Sequence, residues 1–192
     1  MKTLSLLLPL CLASLLYACS GQTSRDKTPV PRPEAWPRIA IYDSTYQTVD
    51  SLPVIFEANS SAKIEHTQPG WVNINYPVYA ATIYLTVTQT NPAEIEKVVD
   101  NRLERMALNI SENADARQEH FVSPEFESLM LVSPGTRSTP LQFVATDRCS
   151  TVVSGTAFFH NAGQITSTDS VAPVIESLKR DLVHALNNLT KR

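Results

Sequence analysis

Few residues of this sequence have the types and spacing that chemistry requires. Its four histidines are scattered, without an HExxH pair or the His and Cys spacing of a zinc site. It has no glycine-rich phosphate loop and no GxSxG serine motif, and its five glycines give few positions for either. We therefore predict no catalytic residue, no metal site and no cofactor, and we predict that the protein is not an enzyme. The histidines are His66, His120, His160 and His184.

Two other places could carry chemistry, but each has a simpler interpretation. Cys149 follows Arg148 and lies near Asp147, and a neighbouring cation can lower the pKa of a thiol. An unreactive cysteine, buried or in a loop, is the favoured interpretation. Glu125 and Glu127 would share one face of a strand. A solvated sheet face explains them better than a carboxylate pair for acid–base chemistry.

A third candidate site is one face of a predicted strand. Polar and apolar residues alternate over 71–76, so that Trp71, Asn73 and Asn75 share a face and three apolar residues share the other. An aromatic ring beside two amides can bind a sugar or a protein partner. The same combination also occurs as ordinary structure on an exposed sheet. We keep these residues as a candidate interaction face.

Strands and helices must position these residues. Two closely spaced pairs of strand-like runs predict β-hairpins, the first bending near Pro77. The predicted strand-like runs are Arg38 to Tyr42, Val54 to Phe56, Ala62 to Glu65, Trp71 to Tyr76, Ala80 to Gln89, Phe121 to Val132, Leu141 to Thr146 and Val152 to His160.

Two helices are predicted from apolar residues at spacings of three and four. The first opens at Asn91, a capping residue, with Pro92 in the first turn. The second opens at Asp169 or Ser170, with Pro173 in the first turn, and ends near Leu189.

The order of these elements predicts the fold class. A β-rich region, a helix, a second β-rich region and a second helix follow one another, with residues 114–120 as a polar connection. Hairpin-length links imply an antiparallel or mixed sheet. We predict a single α+β domain over 38–192, mostly antiparallel sheet with helices packed on it.

The N-terminus has the layout of an export signal. Lys2 precedes an apolar run from Leu4 to Leu16, which is shorter than the roughly 20 residues of a spanning helix. Leu16-Tyr17-Ala18-Cys19 resembles the bacterial lipobox, although Tyr17 is bulky. We predict a signal peptide over 1–18 and lipid attachment at Cys19. The alternative is an ordinary signal cut near Ala18.

Residues 19–37 are predicted to be a tether that follows the lipidated cysteine. Pro29, Pro31, Pro33 and Pro37 favour an extended, semi-rigid path. Such a segment can also be a ligand for an aromatic groove, but a spacer is the favoured interpretation.

The cysteine count excludes an internal disulfide, and the charge argues against two kinds of binding surface. Of three cysteines, Cys11 leaves with the signal and Cys19 is lipidated, so Cys149 has no partner for an internal disulfide. The net charge is −3 and no basic run occurs, which gives no support to nucleic-acid binding or to a polybasic membrane surface.

Six segments of the sequence carry a family resemblance: Pro31 to Ile39, Trp71 to Pro77, Ala81 to Leu85, Gln142 to Asp147, Gly155 to Phe159 and Asp169 to Ile175. The similarity covers most of the chain after the tether. In this order the segments resemble the gliding-motility lipoprotein GldD family of Bacteroidota.

The resemblance implies an envelope lipoprotein, needed for cell movement in gliding relatives and linked there to type IX secretion. It implies envelope protein partners and carries over no catalytic residue. A non-enzymatic component or assembly factor is the function expected, and a periplasmic binding module for a lipid, glycan or peptide is the alternative. The order of hairpin and terminal helix is also similar to the Mog1/PsbP-type α/β/α sandwich.

The resemblance to bacterial lipoproteins also bears on location. Ser20 stands where an inner-membrane retention signal has aspartate, which favours the outer membrane. No acidic run follows Cys19, which favours the periplasmic face. Three segments resemble the Bacteroidota O-glycosylation pattern, although the last is equally explained as a helix cap. They are Asp43-Ser44-Thr45, Asp50-Ser51-Leu52 and Asp169-Ser170-Val171.

Lipid attachment is tested at its cysteine. We expect Cys19→Ser to leave the protein soluble or unprocessed, because the sulfur that carries the acyl chains is gone. Metabolic labelling with palmitate should mark the wild-type protein and not the variant. Labelling that persists in the variant would contradict the assignment.

Overall fold

Residues 71–76, whose polar and apolar side chains alternate, form a strand of a large sheet, as predicted. In the computed structural model, Val72, Ile74 and Tyr76 are buried on one face of their strand. Trp71 is half exposed on the opposite face. Successive strand residues point to opposite sides, so one face of this strand joins the core and the other faces outward.

The structure describes residues 40–110, 115–164 and 170–192, which belong to one compact unit, Trp36–Arg192. The predicted signal, Cys19 and the proline tether lie outside the described residues. In chain order the elements are β1 (Tyr46–Thr48), β2 (Val54–Ile55), β3 (Glu57–Asn59), β4 (Lys63–Gln68), β5 (Trp71–Tyr76), β6 (Ala81–Gln89), α1 (Ile95–Leu108), β7 (Arg117–Val122), β8 (Glu127–Val132), β9 (Leu141–Thr146), β10 (Thr151–Phe159), α2 (Ala172–Asn187) and β11 (Thr190–Lys191).

Seven strands form one sheet in the order β4-β5-β6-β10-β9-β8-β7, and every neighbouring pair is antiparallel. Both predicted hairpins are confirmed, as β5–β6 with a 3₁₀ turn at Pro77–Tyr79 and as β9–β10. Two short pairs, β1–β3 and β2–β11, lie outside this sheet. The predicted α+β class, a mostly antiparallel sheet with helices packed on it, is confirmed.

The two faces of the sheet are covered differently. On the first face, α2 packs over the main core and contacts β3, β7 and β9. On the second face, α1 contacts β9 and β10 above a smaller apolar cluster. Trp71 and Tyr84 lie on the second face beyond this cluster and are 50% and 44% exposed. We call the part of the second face formed by β5 and β6 the open half. The buried members of the smaller cluster are Ile95, Met106, Leu131, Val144 and Val152.

The predicted connection over 114–120 is wrong, because most of it belongs to β7. This strand lies at the edge of the sheet, with β8 as its neighbour, and Arg117 and Gln118 are exposed. An edge strand with a solvated face carries little apolar alternation, so its sequence reads as polar loop. The single strand-like run predicted over 121–132 is divided by a turn, in which the Ser123 amide donates to the Phe126 carbonyl at 2.9 Å.

Both predicted helices are present, with small differences at their starts. Asn91 opens a turn: its Oδ1 accepts from the Ala93 amide at 3.0 Å, and its carbonyl accepts from Glu94 and Ile95. The α-helix itself begins at Ile95. Pro173 lies in the first turn of α2, as predicted. Asp169, one of the two predicted caps of this helix, lies outside the described residues.

A buried carboxylate joins α2 to the strands around it. The Asp181 side chain is 2% exposed and accepts hydrogen bonds from the hydroxyls of Tyr46 and Tyr76, both at 3.3 Å. The Arg180 guanidinium lies 3.7 Å from the same carboxylate. Burial raises the pKa of the Asp181 carboxyl, although Arg180 and the hydrogen bonds oppose the shift. Burial, with Asp181 beside it, also raises the pKa of Tyr76.

Further polar contacts hold the segment before β4 against α2. The Tyr46 ring stacks on His184, with centroids 3.6 Å apart, and His184 Nε2 lies 2.6 Å from Glu57 Oε2. The Tyr42 amide donates to the Tyr79 hydroxyl at 2.8 Å, and that hydroxyl lies 3.0 Å from the Ser177 hydroxyl on α2. These contacts and the Asp181 cluster attach the N-terminal part of the domain to its last helix.

The close packing of β10 on β9 predicts a large effect of one methyl group. A Cβ added at Gly155 would meet the ring of Phe143, which is buried in the main core. We expect Gly155→Ala to lower the free energy of unfolding by about 1–3 kcal/mol, because overpacking forces neighbours to shift. Gly163→Ala is the matched control, since no heavy atom lies within 4 Å of the added Cβ. Equal urea midpoints for both variants would contradict this packing.

The buried carboxylate predicts how stability depends on pH. The folded-state pKa of Asp181 is raised above its ordinary value of 3.8. The stability that this group contributes is therefore fully present below pH 3.8 and is lost as pH rises through the folded-state pKa. The free energy of unfolding of Asp181→Asn, relative to that of wild type, should therefore be higher at pH 8 than at pH 4. Urea unfolding at both pH values measures the change, with the exposed Asp50→Asn as control. A difference that stays constant with pH would contradict the prediction.

Candidate functional site

Trp71, Asn73 and Asn75 lie together on the open half of the second face, where the alternation predicts them. Trp71 is half exposed, and the two asparagines are half buried. Whether they form an interaction face stays a prediction. Their cross-strand partners on β6 are aromatic or polar as well, namely Thr86, Tyr84 and Thr82.

A glycine turn fixes the position of Trp71. Gly70 closes the β4–β5 hairpin with φ +77°, a conformation that favours glycine. Its carbonyl accepts a hydrogen bond from the Val87 amide at 2.7 Å, and an added Cβ would lie 2.5 Å from the Val87 carbonyl oxygen. Trp71 therefore follows a turn that is held directly against β6.

Asn75 is occupied by structural hydrogen bonds. Its Oδ1 accepts from the Thr82 hydroxyl at 2.7 Å, and its Nδ2 donates to Glu65 Oε2 at 3.5 Å. The Thr82 oxygen also lies 2.8 Å from His160 Nε2. Because the hydroxyl has one hydrogen and gives it to Asn75, His160 Nε2 is the donor in this contact.

A cleft of about 270 Å³ lies between α1 and the open half of the second face. We call it the α1 cleft. Its strand side combines aromatic rings with hydroxyl groups, and its helix side carries two arginines. The strand residues are Trp71, Tyr84, Thr86, Ser154 and Thr156, and the helix contributes Arg102, Arg105, Met106 and, just past its end, Asn109.

A side-chain amide in the lining of the α1 cleft joins α1 to the sheet. The buried Gln142 donates from Nε2 to the Met106 carbonyl at 3.3 Å and accepts from Asn109 Nδ2 at 3.2 Å. This pair of hydrogen bonds ties the C-terminal end of α1 to β9. The helix wall of the cleft is therefore fixed relative to the sheet.

The arginines of the α1 cleft lack acidic partners. Arg102 Nη2 donates to the neutral Thr88 hydroxyl at 3.2 Å, and its buried Nε has no hydrogen-bond partner. Within the described ranges, neither Arg102 nor Arg105 forms a salt bridge. Burial lowers the pKa of Arg102, and the positive charge of Arg105 lowers it further. The cleft wall thus holds two cations that are not in direct contact with a described carboxylate.

Arg102 is a site residue that the sequence prediction missed. It lies three residues after Val99 and four before Met106, within the apolar spacing that defines the buried side of α1. A charged residue on the buried stripe of a helix indicates a candidate site, because such a side chain needs a partner or a cleft. That indication was available from the spacing alone.

The histidines do not converge. His184 lies beside Glu57 on the first face, and His160 contacts Thr82 on the second. His66 belongs to β4 and His120 to β7, the two opposite edges of the sheet. Among the residues that the structure describes, no group of three His, Cys, Asp or Glu side chains could hold a metal ion.

The two candidate carboxylates each have a structural partner. Glu127 accepts from Arg148 Nε at 2.8 Å, whereas Glu125 accepts from the Lys191 amide at 2.6 Å. The two carboxylates therefore do not act as a pair. Cys149 is exposed, and the guanidinium that precedes it is turned to Glu127.

Asp147 organises the turn that contains Cys149. Its Oδ1 accepts from the amides of Cys149, Ser150 and Thr151 at 2.8–2.9 Å, and its Oδ2 lies 2.8 Å from Lys191 Nζ. Burial alone would raise the pKa of Asp147, but the hydrogen bonds from Lys191 and these amides hold it well below its ordinary value. The carboxylate is ionised and structural.

The segments with a glycosylation-like pattern differ in accessibility. Ser44 and Thr45 are exposed, and Ser51 is exposed in a turn with φ 59°. The third segment begins at Asp169, outside the described residues. In the part of the chain that is described, no helix is long and apolar enough to cross a membrane.

Comparison with known proteins identifies the family. No curated protein matches the sequence. Among solved structures, the chain is similar to the solution structure of cyanobacterial PsbP from Synechocystis sp. PCC 6803, with 8% identity and a TM-score of 0.38, over 82% of this chain and 98% of that one. The sequence model described as "Gliding motility lipoprotein GldD" matches residues 26–190 of the 192. Since this match spans most of the sequence, the chain belongs to the gliding motility lipoprotein GldD family.

Proposed function

We propose that this protein is a lipid-anchored, non-enzymatic component or assembly factor of an envelope machinery. It is held at the periplasmic face of the outer membrane through Cys19, and its folded domain contacts other envelope proteins. In gliding relatives such a machinery drives movement and is linked to type IX secretion. The match of residues 26–190 to a gliding motility lipoprotein family is the observation that carries this proposal.

The N-terminal sequence supports the anchor. Leu16-Tyr17-Ala18-Cys19 ends an export signal whose apolar run is too short to span a bilayer. Burial of acyl chains contributes about 0.8 kcal/mol per methylene, and stable attachment takes two chains or a second signal. A diacylglyceryl group on Cys19, usually joined by an N-acyl chain, meets that requirement.

The proline segment supports a role at some distance from the lipid. A polyproline path extends about 3 Å per residue, so residues 28–37 can span roughly 30 Å. A domain on such a spacer reaches proteins that project from the membrane.

The partners of the titratable groups support a non-enzymatic role. Asp147 holds a turn, Asp181 joins α2 to two tyrosines, and His184 lies between Glu57 and the Tyr46 ring. Catalysis needs such groups to converge on a shared point in a cleft. Here they are distributed among separate structural contacts.

A second candidate function is a periplasmic binding module for a lipid, glycan or peptide, and the α1 cleft favours it. Binding sites are concave and combine apolar surface with a few convergent polar groups. The α1 cleft brings Trp71 and Tyr84 together with Arg102 and Arg105. The two functions are compatible, since a module of this kind can serve inside a larger assembly.

Crosslinking in the native envelope tests the proposal. We expect mass spectrometry to recover a reproducible set of envelope proteins with the wild-type chain. Cys19→Ser should lose this set, because the domain is no longer held by lipid at its proposed membrane face. Cys149→Ser is the matched control, since it removes the other cysteine of the mature chain, which is exposed, and should recover the wild-type set.

Two results would count against the proposal. Recovery of no specific partner by the lipidated protein would move the assignment to the binding module. A mass showing an unmodified N-terminus on the mature protein would remove the anchor itself, and with it the proposed location.

A further inference from the structure

We infer that the α1 cleft binds an anionic saccharide, with a sugar ring against Trp71 and its acidic group on Arg102 and Arg105. The inference deepens the binding-module candidate and rests on it. It does not depend on the lipid anchor or on protein partners.

The charge of the helix wall selects an anion. Arg102 donates to one neutral hydroxyl, that of Thr88, and its buried Nε has no acceptor in the described part of the chain. Arg105, three residues further along α1, brings a second positive charge to the same cleft. A guanidinium presents a planar fork of donors that matches the oxygens of a carboxylate or phosphate group.

The sheet wall selects a sugar. Trp71 is 50% exposed and Tyr84 is 44% exposed, so both rings offer surface to a ligand. The negative face of an aromatic ring attracts C–H groups such as those on one side of a sugar ring. Hydroxyls of Thr86, Ser154 and Thr156 line the same wall and can bond to the hydroxyls of that ring.

The size of the cleft limits the ligand. A volume of about 270 Å³ lies just below the roughly 300–1,000 Å³ of sites for drug-sized molecules, so one or two sugar rings fit better than a large ligand. Two arginines match a single acidic group, whereas a polyanion needs many cationic contacts along its backbone. The lining, rich in hydroxyls and charges, does not suit an acyl chain.

Glu65 lies on the same face of the sheet, but its carboxylate does not line the α1 cleft, where it would repel an anionic ligand. It lies on β4 opposite Asn73, its carboxylate accepts from Asn75, and it is not part of the lining. The adjacent outer groove of α1 is lined by Glu94, Asp100 and Glu104, and Arg102 lines both this groove and the α1 cleft. None of these three carboxylates lies within salt-bridge distance of Arg102.

Tryptophan fluorescence tests the inference directly. The chain has two tryptophans, so Trp36→Phe in the full lipidated protein, purified in a neutral detergent, leaves Trp71 as the reporter. We expect saturable changes in emission with glucuronate, with glucose 6-phosphate, or with both. The first carries a carboxylate and the second a phosphate, so the comparison identifies the acidic group. Glucose and acetate, each with one half of the required chemistry, should bind at least about tenfold more weakly.

Substitutions of the helix wall give the second part of the test. Arg102→Gln and Arg105→Gln should each weaken binding about tenfold or more, the loss expected for a charge-assisted hydrogen bond. Arg105 is exposed, so its variant tests charge without disturbing the fold. Arg117→Gln on the edge strand β7 is the matched control and should bind like wild type.

Any of four results would overturn the inference. If glucose bound as tightly as the acidic sugars, the acidic group would not be recognised. If acetate bound as tightly as they do, the sugar ring would not be recognised. Unchanged affinity in both arginine variants would place the ligand elsewhere. Tighter binding of a glutamate-rich peptide than of either acidic sugar would make the α1 cleft a protein-docking surface. Failure of the crosslinking experiment would leave these measurements unaffected.

Discussion

The ladder between β6 and β10 is the constraint on which the rest of the domain depends. It pairs Ala81 with Phe159 at one end and Gln89 with Thr151 at the other, and it joins two antiparallel units that are built separately along the chain. One unit is the β4–β6 meander and the other is the β7–β10 meander. Without this pairing neither face of the sheet would be wide enough to hold a helix and an open surface side by side. Non-local pairing of this kind forms against the entropy of closing a long loop.

The unequal cover of the second face follows from this arrangement. The helix α1 leaves β6 and returns over β9 and β10, so it covers one unit of the sheet and stops at the other. Its apolar side meets Val144 and Val152, while Arg102 reaches Thr88 across the boundary. Cations and aromatic rings therefore meet where the covered and uncovered parts join. A recognition site at such a boundary has a rigid wall on each side, which reduces the ordering that binding requires.

Sequence patterns were sufficient for those parts of the fold whose faces differ strongly in polarity. The alternation at β5 and β6, the apolar stripes of both helices and the two hairpins were predictable, because one side of each element is buried. The edge strand β7 was not predictable, since both of its faces are largely polar. For the site, alternation placed Trp71 and Asn73 on one face but could not say that Asn75 is bonded to Thr82. The nearness of Arg102 to Trp71 depends on how α1 crosses the sheet, which spacing along one helix does not encode.

The attachment of the first described residues bears on how the domain would respond to mechanical force. The predicted anchor precedes residue 40, so tension from the membrane would enter just before β1 and first load the contacts of Tyr42 and Asp43. These include the bond from the Tyr42 amide to Tyr79, the bond from Arg180 of α2 to the Tyr42 carbonyl, and the bond from Asn59 Nδ2 to the Asp43 carbonyl. The three-residue pairing of β1 with β3 comes next. Short contacts loaded one after another yield at lower force than a nine-residue ladder loaded as a whole. Strain would therefore peel this leading segment away from α2 first, and the α1 cleft would keep its shape under load.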